Sequence, residues 1–337
     1  MAILVGVWLL GCTGKASTDP VSRASSCQDS PDRLASLAYT GSSLFVFRDG
    51  GLYADSSGGC VKVGAYFTPG FDTANYSRTG DSYFLKTSQG AFPLRDRYAE
   101  SFQGHARLRD LFVHSMSDTD KIWTAMTLLS PSAPTVAEYV ALRKCVLDGS
   151  CAFRDNRIDL VDDPIGTSGK VLEFVAVAPN RDAVTSKASI ESSLSHFTMG
   201  DDLWFRARFL FSDSLPYSIA DFESEWLLES PGPRIVFDNG ALAIEDKFGS
   251  KPKFRQTNPV SMPRNRWVSI QAHLHFDTSA GSIELWQDGV KIIAATGPTI
   301  PVSFAIQTNI EIGITATDRA CTVHMDDVEW SKTPFAP

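Results

Sequence analysis

From Leu172 onward, apolar residues recur at every second position. The sets are Leu172, Phe174 and Ala176; Leu203, Phe205, Ala207, Phe209 and Phe211; Val268, Ile270, Ala272 and Leu274; Ile283 and Leu285; Ile310, Ile312 and Ile314; and Val323 with Met325. A period of two is that of a strand with one buried face. Asp288-Gly289 after the Ile283 run is a hairpin signal. Turn residues between such runs predict an antiparallel sandwich. One segment departs from that period. Thr135-Val136-Ala137-Glu138 is a capping box, Val136, Tyr139, Val140 and Leu147 follow near helical spacing, and Gly149 suits the stop. Before it, residues 31–120 hold short β-type runs (Leu44–Phe47, Val61–Phe67, Ser82–Lys86) broken by Gly, Ser and Asp. They predict an irregular β-rich region of unassigned role, and no internal repeat is evident. The expected fold is all-β, with one short helix and the sandwich in residues 121–337.

The alternation also sorts the polar residues by face. If Val268, Ile270, Ala272 and Leu274 are buried, then Ser269, Gln271, His273 and His275 point outward together. Trp204, Arg206 and Arg208 share an outer face by the same logic. Asp221, Glu223 and Glu225 do so on the next run, opposite Phe222, Ser224 and Trp226. Trp286 stands beside Glu284, and Arg234, Lys247, Lys253 and Arg255 bring cations to the same stretch. The pattern does not say which sheet each strand joins.

Composition narrows the class. The chain has 337 residues, 43% apolar and 21% charged, enough for one large or two ordinary cores. Net charge is −8 with no basic block, which argues against a nucleic-acid partner. Phosphate-loop, Gly-x-Ser-x-Gly, His-Glu-x-x-His and Cys-x-x-Cys motifs are missing. Of the six cysteines, Cys145 and Cys151 flank a turn signal and are expected to pair, as are Cys27 and Cys60. Cys321 is then a spare thiol.

Two resemblances add to this. Met1–Leu10 is almost wholly apolar and runs into Leu9-Leu10-Gly11-Cys12, which resembles a bacterial lipoprotein signal with its lipobox. That resemblance implies lipidation at Cys12, a signal over residues 1–12 and a Ser/Thr/Asp-rich tether over 13–30. The expected location is the bacterial cell envelope or the secreted space, with the membrane reached only through the lipid. The second resemblance lies in Gly200-Asp201-Asp202-Leu203-Trp204-Phe205-Arg206, Arg266-Trp267-Val268-Ser269-Ile270-Gln271-Ala272-His273, Gly281-Ser282-Ile283-Glu284-Leu285-Trp286-Gln287-Asp288-Gly289 and His324-Met325-Asp326-Asp327-Val328. These stretches resemble concanavalin A-like jelly rolls of the polysaccharide-lyase type, such as the heparin-lyase-I-like family. The resemblance implies a jelly-roll β-sandwich with a groove for a sugar chain, no required cofactor, and a structural Ca2+ that Asp326 would help to hold.

A uronate polysaccharide is cleaved by β-elimination when its carboxylate is neutralised, a base removes the adjacent proton and an acid protonates the leaving oxygen. On the lyase reading His273 is the base, backed by His275, because histidine titrates near ~6.5. Gln271 and Arg208 neutralise the carboxylate, Tyr217 is the acid, and Arg206, Arg234, Arg255, Trp204 and Trp286 bind the chain. The expected partner is an acidic polysaccharide. Two other readings remain open. Asp221-Phe222-Glu223-Ser224-Glu225 resembles the alternating acid triplet of laminarinase-type hydrolases, with the first two acids exchanged. Glu223 and Glu225 would stand ~6.7 Å apart at Cα, which suits both retaining (~5–5.5 Å) and inverting (~6.5–9.5 Å) carboxyl separations. A non-catalytic carbohydrate-binding module needs only Trp204 and Trp286 as stacking surfaces.

Overall fold

The computed structural model describes residues 26–335 apart from 31–32, 40–41, 48–50, 57–58, 66–73, 80–81, 88–89, 115–117, 119, 167–168, 181–184, 213, 225–231, 248–253, 302, 304 and 306. The expected signal and Cys12, most of the tether, Glu225 and Lys253 lie outside the described residues. The strands in chain order are β1 (Arg33–Tyr39), β2 (Ser42–Phe47), β3 (Gly51–Ser56), β4 (Gly59–Ala65), β5 (Ala74–Thr79), β6 (Ser82–Thr87), β7 (Gly90–Pro93), β8 (Arg97–Glu100) and β9 (Ala125–Thr127). After helix α1 (Val136–Asp148) come β10 (Arg157–Asp162), β11 (Lys170–Ala176), β12 (Ser186–Ser192), β13 (Asp202–Phe211), β14 (Ser218–Glu223), β15 (Pro233–Asp238) and β16 (Ala241–Asp246). The chain closes with β17 (Trp267–His275), β18 (Gly281–Gln287), β19 (Val290–Gly297), β20 (Asn309–Thr317) and β21 (Cys321–Ser331).

Two antiparallel sheets stack as a jelly-roll β-sandwich. One is eight-stranded, in the order β10-β11-β21-β13-β17-β18-β19, with β8 also paired to β21. The other is six-stranded, β16-β15-β14-β20-β12-β9. The alternating apolar sets meet between them. Phe205 of β13 packs edge-on against Phe222 of β14 at 5.4 Å, and Phe211 against Phe237 of β15 at 5.2 Å. Ile270, Leu274, Ile312 and Ile314 are wholly buried in the same layer. The expected hairpin at Asp288-Gly289 forms, and both residues take positive φ (50° and 78°), as a tight twisted turn needs. Asn239-Gly240 does the same between β15 and β16.

Helix α1 carries the expected cap. Thr135 accepts from the Glu138 amide at 3.3 Å, Glu138 accepts from the Thr135 amide at 3.0 Å, and Gly149 ends the helix at φ 80°. The Cys145–Cys151 and Cys27–Cys60 disulfides form, and Cys321 is a buried free thiol. No described helix is long and apolar enough to cross a membrane.

The N-terminal region differs from expectation in two ways. First, β8 joins the eight-stranded sheet, so the sandwich draws on residues upstream of 121. Second, the region is duplicated. Strands β1-β2-β3 and β5-β6-β7 are matching antiparallel meanders. Thr40-Gly41-Ser42-Ser43-Leu44-Phe45-Val46 and Thr79-Gly80-Asp81-Ser82-Tyr83-Phe84-Leu85 share the pattern Thr-Gly-x-Ser-x-Phe-aliphatic. Gly51-Leu52-Tyr53 and Gly90-Ala91-Phe92 then follow at equal offsets. The shared positions are too few to stand out until strand pairing aligns them.

The seam between β8 and the sandwich rests on an aromatic cluster. Tyr98 packs on Trp330 at 4.9 Å, and Trp330 on Trp123 at 5.7 Å, both tryptophans being wholly buried. Trp330→Ala is expected to lower the unfolding free energy by about 3–5 kcal/mol through lost burial and the cavity left behind. Denaturant unfolding measures it; a loss below about 1 kcal/mol would show that the seam carries little of the fold.

Candidate functional site

The residues singled out from sequence fall on two opposite faces. On the outer face of the eight-stranded sheet, β13 and β17 pair Trp204 with His273, Arg206 with Gln271 and Arg208 with Ser269. The His273 ring lies flat on Trp204 (4.0 Å, 9°), and Trp286 stands 6.0 Å from Trp204. His273 Nδ1 is 2.9 Å from Glu284 and its Nε2 is 2.8 Å from Asp202. Both ring nitrogens of His273 are thus turned to carboxylates of the protein. His275 Nδ1 is 3.0 Å from the same Asp202 oxygen. Arg206 donates to Glu329 at 2.7 Å, and Arg208 to Asp326 and Asp327 at 2.9 and 2.6 Å. Asp326, 1% exposed, therefore holds an arginine where an ion was expected. A groove of about 490 Å³ runs beside this row, lined by Glu100, Arg206, Arg208, Ser269, Asp327 and Glu329.

Tyr217, Glu223 and Arg234 are on the other sheet, across a sandwich layer of ~10 Å. Arg255 is exposed and pairs with Asp238 at the β15–β16 turn. One sugar cannot reach His273 and Tyr217 together. Alternation assigned residues to faces, but the lyase set drew on both sheets.

The outer face of the six-stranded sheet is the more charged. Direct register puts Glu245, Arg234, Asp221, Glu311 and Glu191 in one row across β16, β15, β14, β20 and β12. Asn309 faces Glu223 on the next line and donates to Glu191. Every carboxylate in the row is under a tenth exposed. Lys247, directly after β16, reaches into the middle. Its Nζ is 2.9 Å from Asp221 and 3.7 Å from Glu311, and it also contacts Glu223. Lys187 Nζ is 3.2 Å from Glu311. Arg234 and the Tyr217 hydroxyl both donate to one oxygen of Glu245, each at 2.6 Å. Thr315 donates to Asp221 at 2.8 Å. Tyr139 and Arg143 of α1 lie near Glu191.

Burial opposes charge throughout this row, and the neighbours decide who carries it. Burial works against the Lys247 ammonium, but Asp221, Glu223 and Glu311 outweigh it and hold the lysine well above its usual range. Burial would raise Asp221, yet Lys247, Lys187 and Arg234 bring it below the ordinary carboxylate range. Glu223 goes the other way: burial and the adjacent Asp221 and Glu311 carboxylates exceed the pull of Lys247 and raise it. Glu191, raised by burial and by Glu311 and Glu223, stands well above the ordinary range.

Oxygens of Asp221, Glu223 and Glu311 lie within 4.8 Å of one another, so this buried cluster could hold a metal ion. The Lys247 ammonium supplies positive charge at that point. The metal-capable group among the described residues is thus here and not at Asp326. Lys187, Glu191, Asn309 and Glu311 were not singled out from sequence. Their signal was the alternation of Lys187, Ser189 and Glu191 on β12 and of Asn309, Glu311, Thr315 and Thr317 on β20, broken by Gly313, with Ile190, Ile310, Ile312 and Ile314 on the opposite face.

Removing Lys247 leaves three buried carboxylates without their shared counter-charge. Lys247→Met is expected to cost about 3–5 kcal/mol of stability near neutral pH, read by urea unfolding. Glu191 titrates in the opposite sense. Its folded form keeps a proton that the unfolded chain releases near 4.5, so stability falls as pH rises from there towards the raised folded value. Glu191→Gln is therefore expected to stabilise the protein increasingly above that pH and to have no such effect below it. A pH-independent difference would count against the protonated Glu191.

No family model matches this chain, and no curated protein matches it. Among solved structures it is similar to a cellulose-induced protein, Cip1, at 14% identity over 71% of this chain and 99% of that one, with a TM-score of 0.47. It is also similar to an endo-β-1,4-glucuronan lyase from Trichoderma reesei at 14% identity, over 53% of this chain and 88% of that one (TM-score 0.43). A third similar structure is the alginate lyase vAL-1 from Chlorella virus, at 9% identity over 53% and 90% of the two chains (TM-score 0.40).

Proposed function

We propose that the protein acts on polysaccharide at the outer face of the six-stranded sheet, cleaving a uronate-containing chain by β-elimination. The observation that carries this reading is a phenol and two cations held on one sheet face: Tyr217 and Arg234 by Glu245, and Lys247 by Asp221 and Glu223. Elimination needs the uronate carboxylate neutralised before its neighbouring proton becomes acidic. Arg234, partly exposed beside Tyr217, supplies that charge, while Lys247 stays buried among Asp221, Glu223 and Glu311 and holds the row in place. Glu245, 2.6 Å away, takes the Tyr217 hydroxyl proton while the Arg234 guanidinium 5.0 Å over the ring offsets the phenolate charge. The phenolate removes the proton next to the uronate carboxylate, the glycosidic C–O bond breaks as the C=C bond forms, and the regenerated hydroxyl passes that proton to the leaving oxygen.

A second reading is hydrolysis. Asp221 and Glu223 alternate on one strand, and their surroundings push them in opposite directions, Asp221 toward the ionised form and Glu223 toward the protonated form. An ionised carboxylate beside a protonated one is the pairing that glycoside hydrolysis uses.

Incubation with glucuronan, alginate and glycosaminoglycans separates the readings. Elimination is expected to raise ultraviolet absorbance from unsaturated uronates, and Tyr217→Phe to lower that rate by about 10²–10⁴-fold. New reducing ends without absorbance would establish hydrolysis in its place, with Glu223→Gln as the inactivating change. Neither product, together with retarded migration in polysaccharide gels, would make the protein a binding module.

A further inference from the structure

We infer that the eight-stranded sheet carries a second saccharide site, for a neutral, extended β-linked glycan, on the face opposite the charged row. It stands whichever chemistry the six-stranded face performs. Trp204, His273 and Trp286 come from three adjacent strands, β13, β17 and β18, and form a continuous half-buried ring surface. Trp204 and His273 are stacked parallel at 4.0 Å, which stiffens the indole. Trp286 follows at 6.0 Å and 32°, a separation close to the rise of one pyranose unit along an extended chain. Equatorial hexoses present C–H groups on both ring faces, and such faces stack on indoles without needing charge. Gln271, directly opposite Trp286 in register and also half-buried, offers an amide to sugar hydroxyls.

The fringe of this surface selects against acidic chains. Asp202 and Glu284 hold His273 between them, Asp202 also meets His275, and Glu284 pairs with Lys291. Beside them, the Arg206 and Arg208 guanidinia are already taken by Glu329, Asp326 and Asp327. A uronate would meet carboxylates here, whereas a neutral sugar would meet hydrogen-bonding groups. Lys291 obstructs this surface: exposed on β19, its Nζ lies 4.9 Å over the Trp286 ring. A chain stacking on Trp286 must push that side chain aside.

Affinity electrophoresis of the full chain tests this, in gels containing hydroxyethylcellulose or glucuronan. Retardation by hydroxyethylcellulose is expected, with Trp286→Ala weakening it about tenfold, the effect of losing one stacked ring. Lys291→Ala uncovers the indole and is expected to leave retardation intact or increase it, which keeps the test open if a tryptophan variant misfolds. Tyr217→Phe and Glu223→Gln, which would disable the six-stranded face, are expected to leave it unchanged. Two outcomes overturn the second site. One is no retardation by hydroxyethylcellulose. The other is retardation that survives Trp286→Ala but is lost in Tyr217→Phe or Glu223→Gln.

Discussion

Both faces of the six-stranded sheet carry buried side chains, and only one of them is apolar. That constraint governs the rest of the molecule. A buried apolar face needs only shape and volume, and Phe205, Phe222 and the isoleucines of β20 supply both. A buried polar face must balance its charge locally, because water is not there to do it. Lys247 meets that requirement at the centre by facing three carboxylates, and Lys187 and Arg234 extend the balance to either side. Glu191 meets it by keeping its proton. An arrangement of this kind costs stability compared with an apolar face of equal size. It is therefore no fold-stabilising device.

The two outer faces divide the polar residues by environment. On the eight-stranded sheet the charged groups other than Asp326 are mostly half-buried or exposed, and they close onto one another as arginine–carboxylate and histidine–carboxylate pairs around a stacked aromatic surface. Exposed pairs of this kind are worth little in stability. On the six-stranded sheet similar residue types are desolvated, so each neighbour acts strongly on the next. Asp221 and Glu223 differ in protonation tendency although they are two residues apart on one strand. The same alternation thus produces a half-buried aromatic surface in one place and a buried charged row in another.

How much of this could be read from the chain varies by element. The helix was legible in full, because a capping box and a terminal glycine are local signals. The hairpin at Asp288-Gly289 was legible for the same reason, since positive φ at both turn residues is a local demand. The outer-face groupings of Trp204, Arg206 and Arg208, and of Gln271, His273 and His275, were also legible, because side-chain direction alternates strictly along a strand. The row through Glu245, Arg234, Asp221, Glu311 and Glu191 was not. Its members lie on five strands far apart in sequence, and register alone aligns them.

The sequence by itself determined the strand period, the helix, the turns, the pairing of neighbouring cysteines and which residues along each strand share a face. These follow from local geometry and from the requirement to bury apolar side chains. Tertiary structure decided which sheet each strand joins, and so which outward residues meet. It separated His273 from Tyr217 by the thickness of the sandwich, gave Asp326 to Arg208, and brought Lys247 among Asp221, Glu223 and Glu311. Both the burial that shifts a carboxyl group and the neighbour that shifts it back are properties of position in space. Neither exists until the sheets are packed.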